Sequence, residues 1–260
     1  MVERLLLCAK QHNFDECVAL AQEYGTGIEV QTFAFPPMLT EDWHETLHAY
    51  QKQLRSVPGE IALHGPFMDL AGGSLDPLIN DAVRERVQQM LFIADELEAR
   101  TLVFHANFIS MIRTPEYRNG WTQRQVEFWG PLAEQAWAKG HVLALENMWE
   151  YDPDIIGDVL RLFNGPGLRA CLDVGHTYLF SDVPFDQWAA RLDGFVAHVH
   201  VNNNNGEMDY HNGLDTGVLD YRSLIPRLCA FDPKPSISLE IEQVADIKRS
   251  LDFLQGLDER

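Results

Sequence analysis

Cysteine is scarce in this chain, with four in 260 residues. Cys8, Cys17, Cys171 and Cys229 form no closely spaced pair, so neither a zinc knuckle nor a dithiol redox motif is written here. They read as reduced, mostly buried thiols, and any metal is then expected on histidines and carboxylates. Long apolar runs are missing too. None approaches the ~20 residues a membrane span needs, and no membrane partner is expected. The first residues carry Glu3 and Arg4 ahead of a short apolar run, without the basic start and small-residue cleavage site of a secretory signal. The expected location is therefore cytoplasmic. Cations are few, 20 Lys and Arg against 39 Asp and Glu, for a formal charge of −19. A protein that grips duplex DNA neutralises several phosphates with Lys and Arg, so this balance disfavours a nucleic-acid partner without naming another. No Pro/Gly/Ser-rich linker or compositional break divides residues 1–260, which predicts a single domain.

What is present is an alternation. Short β-rich apolar runs fall at Arg4–Ala9, Gly27–Phe33, Glu60–His64, Thr101–His105, His141–Glu146, Leu168–Asp173, Phe195–His200 and Ser236–Ile241. Runs such as Thr101-Leu102-Val103-Phe104 suit strands buried on both faces, as in a parallel sheet. Amphipathic stretches separate them; in Pro77–Glu98, Val83, Val87, Met90, Leu91 and Ala94 share one face. Asn13 with Glu16 is expected to cap the first helix, and the sixth helix is expected to be short, near Pro184–Arg191. Eight strands, each followed by a helical pattern, predict a single (β/α)8 TIM barrel of α/β class.

The polar residues stand at informative places. The third to eighth strand candidates close on His64, His105, Glu146, Asp173, His200 and, near the end of the eighth, Glu240. In a parallel barrel those ends meet at one face, where active sites of this fold are built. Singly, each is as well read as a hydrogen-bonded structural residue or a helix cap. Six in succession would each bury an ionisable group after an apolar run, which is unfavourable unless the groups are paired or metal-bound. Asp173-Val174-Gly175-His176 and Asp209-Tyr210-His211 extend the ring. Nitrogen and carboxylate ligands without thiolates suit Zn²⁺ or Mn²⁺, and their number permits one to three ions per chain. His198 shares a face with His200 and is expected one layer deeper. His12, His44, His48 and His141 fall where surface or structural roles suit them.

These segments resemble the xylose isomerase-like barrel superfamily, which includes sugar isomerases and epimerases and abasic-site nucleases of the endonuclease IV type. The resemblance runs from His64-Gly65-Pro66-Phe67 to Ser238-Leu239-Glu240. It is carried most strongly by Leu145-Glu146-Asn147, Leu172-Asp173-Val174-Gly175-His176, His198-Val199-His200-Val201-Asn202 and the Asp209-Tyr210-His211 element followed by Gly217. It implies that Glu146, Asp173, His200 and Glu240 form the four-ligand site of the epimerases. It implies further that His64, His105, His176, Asp209 and His211 complete the ligand set of the nucleases, which hold a trinuclear zinc cluster. Two departures stand out. The stretch after His200 is Asn202-Asn203-Asn204-Asn205-Gly206, without the arginine typical of ketose epimerases, and Met68–Ser74 after His64 offers no cation for DNA.

Two functions follow. The first is a divalent-metal-dependent sugar or sugar-phosphate isomerase or epimerase acting through a metal-stabilised enediolate, with Glu146, Glu240 and His176 as catalytic residues. Its partner would be a small sugar or sugar phosphate, and its oligomeric state is left open. The alternative is a metal-cluster phosphoester hydrolase of the endonuclease IV type. The stretch Ala106–Trp121 is long for a connection of ~2–6 residues and is expected to be a lid over the site, with Arg113, Arg118 and Trp121 binding substrate.

Overall fold

A computed structural model describes residues 2–40 and 43–258. Among them, eight parallel strands close into a barrel in sequence order, the last pairing with the first. The strands are β1 (Leu5–Ala9), β2 (Gly27–Val30), β3 (Ile61–His64), β4 (Thr101–His105), β5 (Val142–Glu146), β6 (Leu168–Asp173), β7 (Val196–Val201) and β8 (Ser236–Leu239). The helices wrapped outside are α1 (Phe14–Tyr24), α2 (Trp43–Leu54), α3 (Pro77–Leu97), α4 (Pro115–Ala138), α5 (Asp154–Phe163), α6 (Val174–Leu179), α7 (Phe185–Leu192), α8 (Tyr221–Leu228) and α9 (Val244–Asp258). The fold is the (β/α)8 barrel that the alternation predicts. No helix among the described residues is long and apolar enough to cross a membrane.

The period of two along each strand sorts the side chains into two cores. Leu102 and Phe104, Leu143 and Leu145, and Leu172 and Val199 point outward into one large apolar layer shared with the helices. The alternate residues face the barrel axis. There Val103, Ala144 and Cys171 form a separate small cluster, and Ser236 and Ser238 are fully buried. Small side chains at this level leave room for polar ones. One step further along the same strands stand His105, Glu146, Asp173 and His200, with His105 paired to Glu146 and Asp173 to His200 in register.

Four local expectations are corrected. The second strand stops at Val30, not Phe33, and Thr32–Ala34 turns as a 3-10 helix ahead of Pro36 and Pro37; prolines lack the N–H a ladder needs. Asn13 does not cap α1 through its side chain; its Oδ1 instead accepts from Lys10 N at 2.8 Å and tightens the preceding turn. Two helices, α6 and α7, follow β6, since Asp173 caps α6 by accepting from His176 N at 2.6 Å. The long β4–α4 loop ends at Thr114, whose hydroxyl caps α4 with Pro115 in its first turn, a helix start written in the sequence.

Candidate metal centre

The six strand-end residues and the two loop elements meet at the C-terminal mouth. Glu146 stands at the middle. Its Oε2 lies 3.3 Å from both His64 Nε2 and His105 Nε2. Its Oε1 lies 3.2 Å from His200 Nδ1, which is also 3.2 Å from Glu240 Oε2. Asp209 Oδ2 is 3.1 Å from His176 Nε2 and 3.0 Å from His211 Nε2. Three compact groups of histidines and carboxylates alone result: His64–His105–Glu146, Glu146–Asp173–His200–Glu240 and His176–Asp209–His211. Glu146 belongs to two of them.

The groups fit metal ions on two counts. Glu146 Oε2, His200 Nδ1, Glu240 Oε2 and Asp209 Oδ1 are buried and make no hydrogen bond, although buried polar atoms are nearly always satisfied. The separations around Glu146 also match the ligand–ligand edge of about 3.3 Å that a tetrahedral ion with bonds near 2.0–2.1 Å would set. The electrostatics agree. Burial opposes ionisation of Glu146, yet His200 and His105 hold it well below the usual carboxylate range. Glu240, likewise buried, is drawn down to about 2 by His200 and His211. Asp173 is pushed up to about 7 by burial, with Glu240 and Glu146 adding repulsion against the pull of His176. A carboxyl so crowded gains from a cation. For His64, contact with Glu146 outweighs burial and raises the pKa, whereas burial lowers that of His105. His211 rises to about 9, as Glu240 and Asp209 overcome its burial.

Other polar side chains buttress the ring. Gln31 donates to Glu240 Oε1 at 2.7 Å, and Asn202 donates to Asp173 Oδ2 at 3.1 Å. Asn147 brackets the backbone of Asp173, accepting from its N at 2.9 Å and donating to its O at 3.0 Å. Glu29 on β2 is fully buried beneath the ring, against His198 and His200. Lying midway along a strand, it gave no strand-end signal; the alternation Glu29–Gln31 on one face was its only trace. Cys8 and Cys171 also come within ligand range of His200, but burial drives both thiols well up, which disfavours the thiolate a metal needs.

The structure does not bring Arg113, Arg118 or Trp121 to this site. Above the ligands lies a cavity of about 300 Å³ whose walls include Lys10, Phe35, Phe67, Met68 and Met148 but none of those three. Arg113 pairs with Asp182 and lies over the Tyr151 ring. Arg118 bridges Asp152 and Asp158 at 3.0 and 3.1 Å. Trp121 is buried edge-on against Phe108 at 5.1 Å. Phe108 of the loop packs with Tyr117 and Trp121 of α4 and with Tyr151 of the β5–α5 connection, and the two arginines answer local acids.

A (β/α)8 barrel with a histidine–carboxylate centre at its mouth is the class these features define. The sequence profile of the xylose isomerase-like TIM barrel family matches residues 18–257, and the chain belongs to that family. It is similar in structure to the TTHB071 protein from Thermus thermophilus, in a crystal soaked with ZnCl2: TM-score 0.82, 29% identity, 97% of each chain covered. A D-tagatose 3-epimerase-like protein superposes with TM-score 0.80 at 18% identity, over 98% of this chain and 97% of that one. The uncharacterized protein MJ1311 of Methanocaldococcus jannaschii is 22% identical over 203 residues, 75% of this chain and 69% of its own.

Proposed function

We propose that the chain is a divalent-metal-dependent isomerase or epimerase of a small sugar. The observation that carries this reading is the clustering of Glu146, Asp173, His200 and Glu240, two of which, Glu146 and Glu240, line a cavity of about 300 Å³. That volume suits one small polyhydroxylated molecule. Among the described residues Lys10 is the one Lys or Arg lining it, and Lys10 is engaged by Glu242. A neutral sugar therefore fits better than a sugar phosphate, and much better than a nucleic-acid strand. An ion held by these four residues would supply Lewis-acid stabilisation of charge developing on adjacent substrate oxygens. Glu146 and Glu240, on β5 and just beyond β8, carry the carboxylates that would move a proton at the neighbouring carbon. His176, with Nδ1 donating to Asn147 O at 2.8 Å, keeps Nε2 toward the cavity for a substrate hydroxyl or an ion. Phe67, stacked on His105 at 4.2 Å, and Phe35 would exclude water from that step. The zinc-soaked relative and the fold likeness to an epimerase-like protein accord with this reading.

A second reading, a phosphoester hydrolase, is favoured by one observation. The His176–Asp209–His211 group exceeds what a single four-ligand ion requires, and in-line displacement at phosphorus uses paired ions. Protein loaded with Mn²⁺ or Zn²⁺ should interconvert members of a ketose and aldose panel, and chelator should stop it. No turnover across the panel, with cleavage of an abasic-site duplex at low salt, would replace the first reading by the second.

A further inference from the structure

A histidine presents a lone pair from one ring nitrogen when the other carries the proton and has somewhere to donate it. For His64, His176 and His211 the rear acceptor is a backbone carbonyl. Their Nδ1 atoms lie 2.8, 2.8 and 3.0 Å from Gly65 O, Asn147 O and Glu240 O. His200 is turned the other way. Its Nδ1 faces Glu146 and Glu240, while its Nε2 lies 3.1 Å from both carboxylate oxygens of Glu29.

Glu29 is fully buried on β2, inside a barrel where Ala144, Cys171, Ser236 and Ser238 are also fully buried. A carboxylate there is unfavourable unless it is paired, and it can only accept hydrogen bonds. Any ring nitrogen facing it must then carry a proton. His198 faces it as well, with Nε2 2.8 Å from Glu29 Oε2, and the Ser236 hydroxyl lies 2.6 Å from His198 Nδ1. Ser236 and His198 thus hold the carboxylate from below, and the carboxylate holds His200.

We infer that Glu29 is a positioning residue for the metal centre. It keeps His200 in its Nε2–H form, so that Nδ1 is the nitrogen offered to the group of Glu146, Asp173 and Glu240. His200 is the one of these four imidazoles backed by a full negative charge, which also strengthens it as a donor to a cation. This rests on the metal-centre reading above.

The test uses zinc-loaded, ¹⁵N-histidine-labelled protein, wild type and Glu29→Gln. Long-range ¹H–¹⁵N spectra of the wild type should show His200 protonated at Nε2, with a downfield N–H proton. In Glu29→Gln that proton should move upfield. The affinity for one zinc equivalent should fall about 10–100-fold, the usual cost of losing such a partner, while the ligand sets without His200 keep theirs. A folded Glu29→Gln protein with unchanged proton shift and zinc affinity would overturn the proposal. If Glu29→Gln does not fold, the wild type alone decides, since protonation of His200 at Nδ1 would equally overturn it. Failure of the wild type to hold zinc at all would instead bring down the metal-centre reading.

Discussion

The strand ends and the stretch running from the β4–α4 loop into α4 both stand at the C-terminal end of the barrel, and in sequence both offer polar residues where a site is expected. They fare differently. His105, the last residue of β4, is fixed by register opposite Glu146, with its ring 3.3 Å from that carboxylate. Arg113 and Arg118, only eight and thirteen residues further along the sequence, turn away to Asp182, Asp152 and Asp158. A strand end inherits its direction from the barrel, whereas a side chain in the loop or the first turn of α4 goes to its best local partner. In an acidic protein an arginine seldom lacks one.

The largest expected effect tests the strand-end half of this contrast. Glu146→Gln removes the carboxylate shared by two ligand groups while leaving a side chain of equal size. Turnover should fall on the order of 10³-fold, within the range for general acid–base catalysis, with an unchanged circular dichroism spectrum. A rate within a few-fold of wild type would break the contrast from its stronger side. A middle-sized effect concerns the loop after β7, which behaves like a strand end. His211, at a φ of 50°, donates Nδ1–H to Glu240 O and is thereby locked onto Asp209. His211→Ala should lose one metal equivalent. It should also lose part of the thermal stabilisation by zinc, which for one site amounts to about 2.7 kcal/mol at a hundred times Kd. Unchanged stoichiometry would return His211 to a substrate-contact role. The smallest effects belong to the arginines. Arg113→Ala and Arg118→Ala should leave kcat/KM and any preference between a sugar and its phosphate unaltered. Urea denaturation should show little change for Arg113→Ala, whose pair with Asp182 is exposed and solvent-screened, and a larger loss for Arg118→Ala, whose pair with Asp152 is mostly covered. A drop in kcat/KM confined to phosphorylated substrate would show that the loop swings over the cavity in solution.

The same contrast explains what could be read in advance. The barrel was legible because eight apolar runs at strand length alternate with amphipathic stretches, and local slips such as Asn13 or the end of β2 did not alter that order. His64, His105, Glu146, Asp173, His200 and Glu240 were legible because an ionisable group that ends an apolar run is seldom buried without a partner or an ion. Glu29 and Gln31 were not. They lie within or just beyond a strand whose interior direction becomes meaningful only once the barrel closes and His198 and His200 are known to face it. The aromatic content of Ala106–Trp121 suggested a lid, but Phe108, Tyr117 and Trp121 pack on one another. Sequence cannot separate an apolar residue that covers a ligand from one that covers a neighbour.

Metal content is the most direct measure of whether these strand ends form a metal centre. Protein reconstituted with Zn²⁺ or Mn²⁺ and freed of unbound ion by gel filtration should retain one to three equivalents per chain by elemental analysis. The four-ligand group accounts for the first, and the His64–His105 and His176–Asp209–His211 groups for any others. Less than a tenth of an equivalent retained, in protein whose fold is intact, would contradict the account.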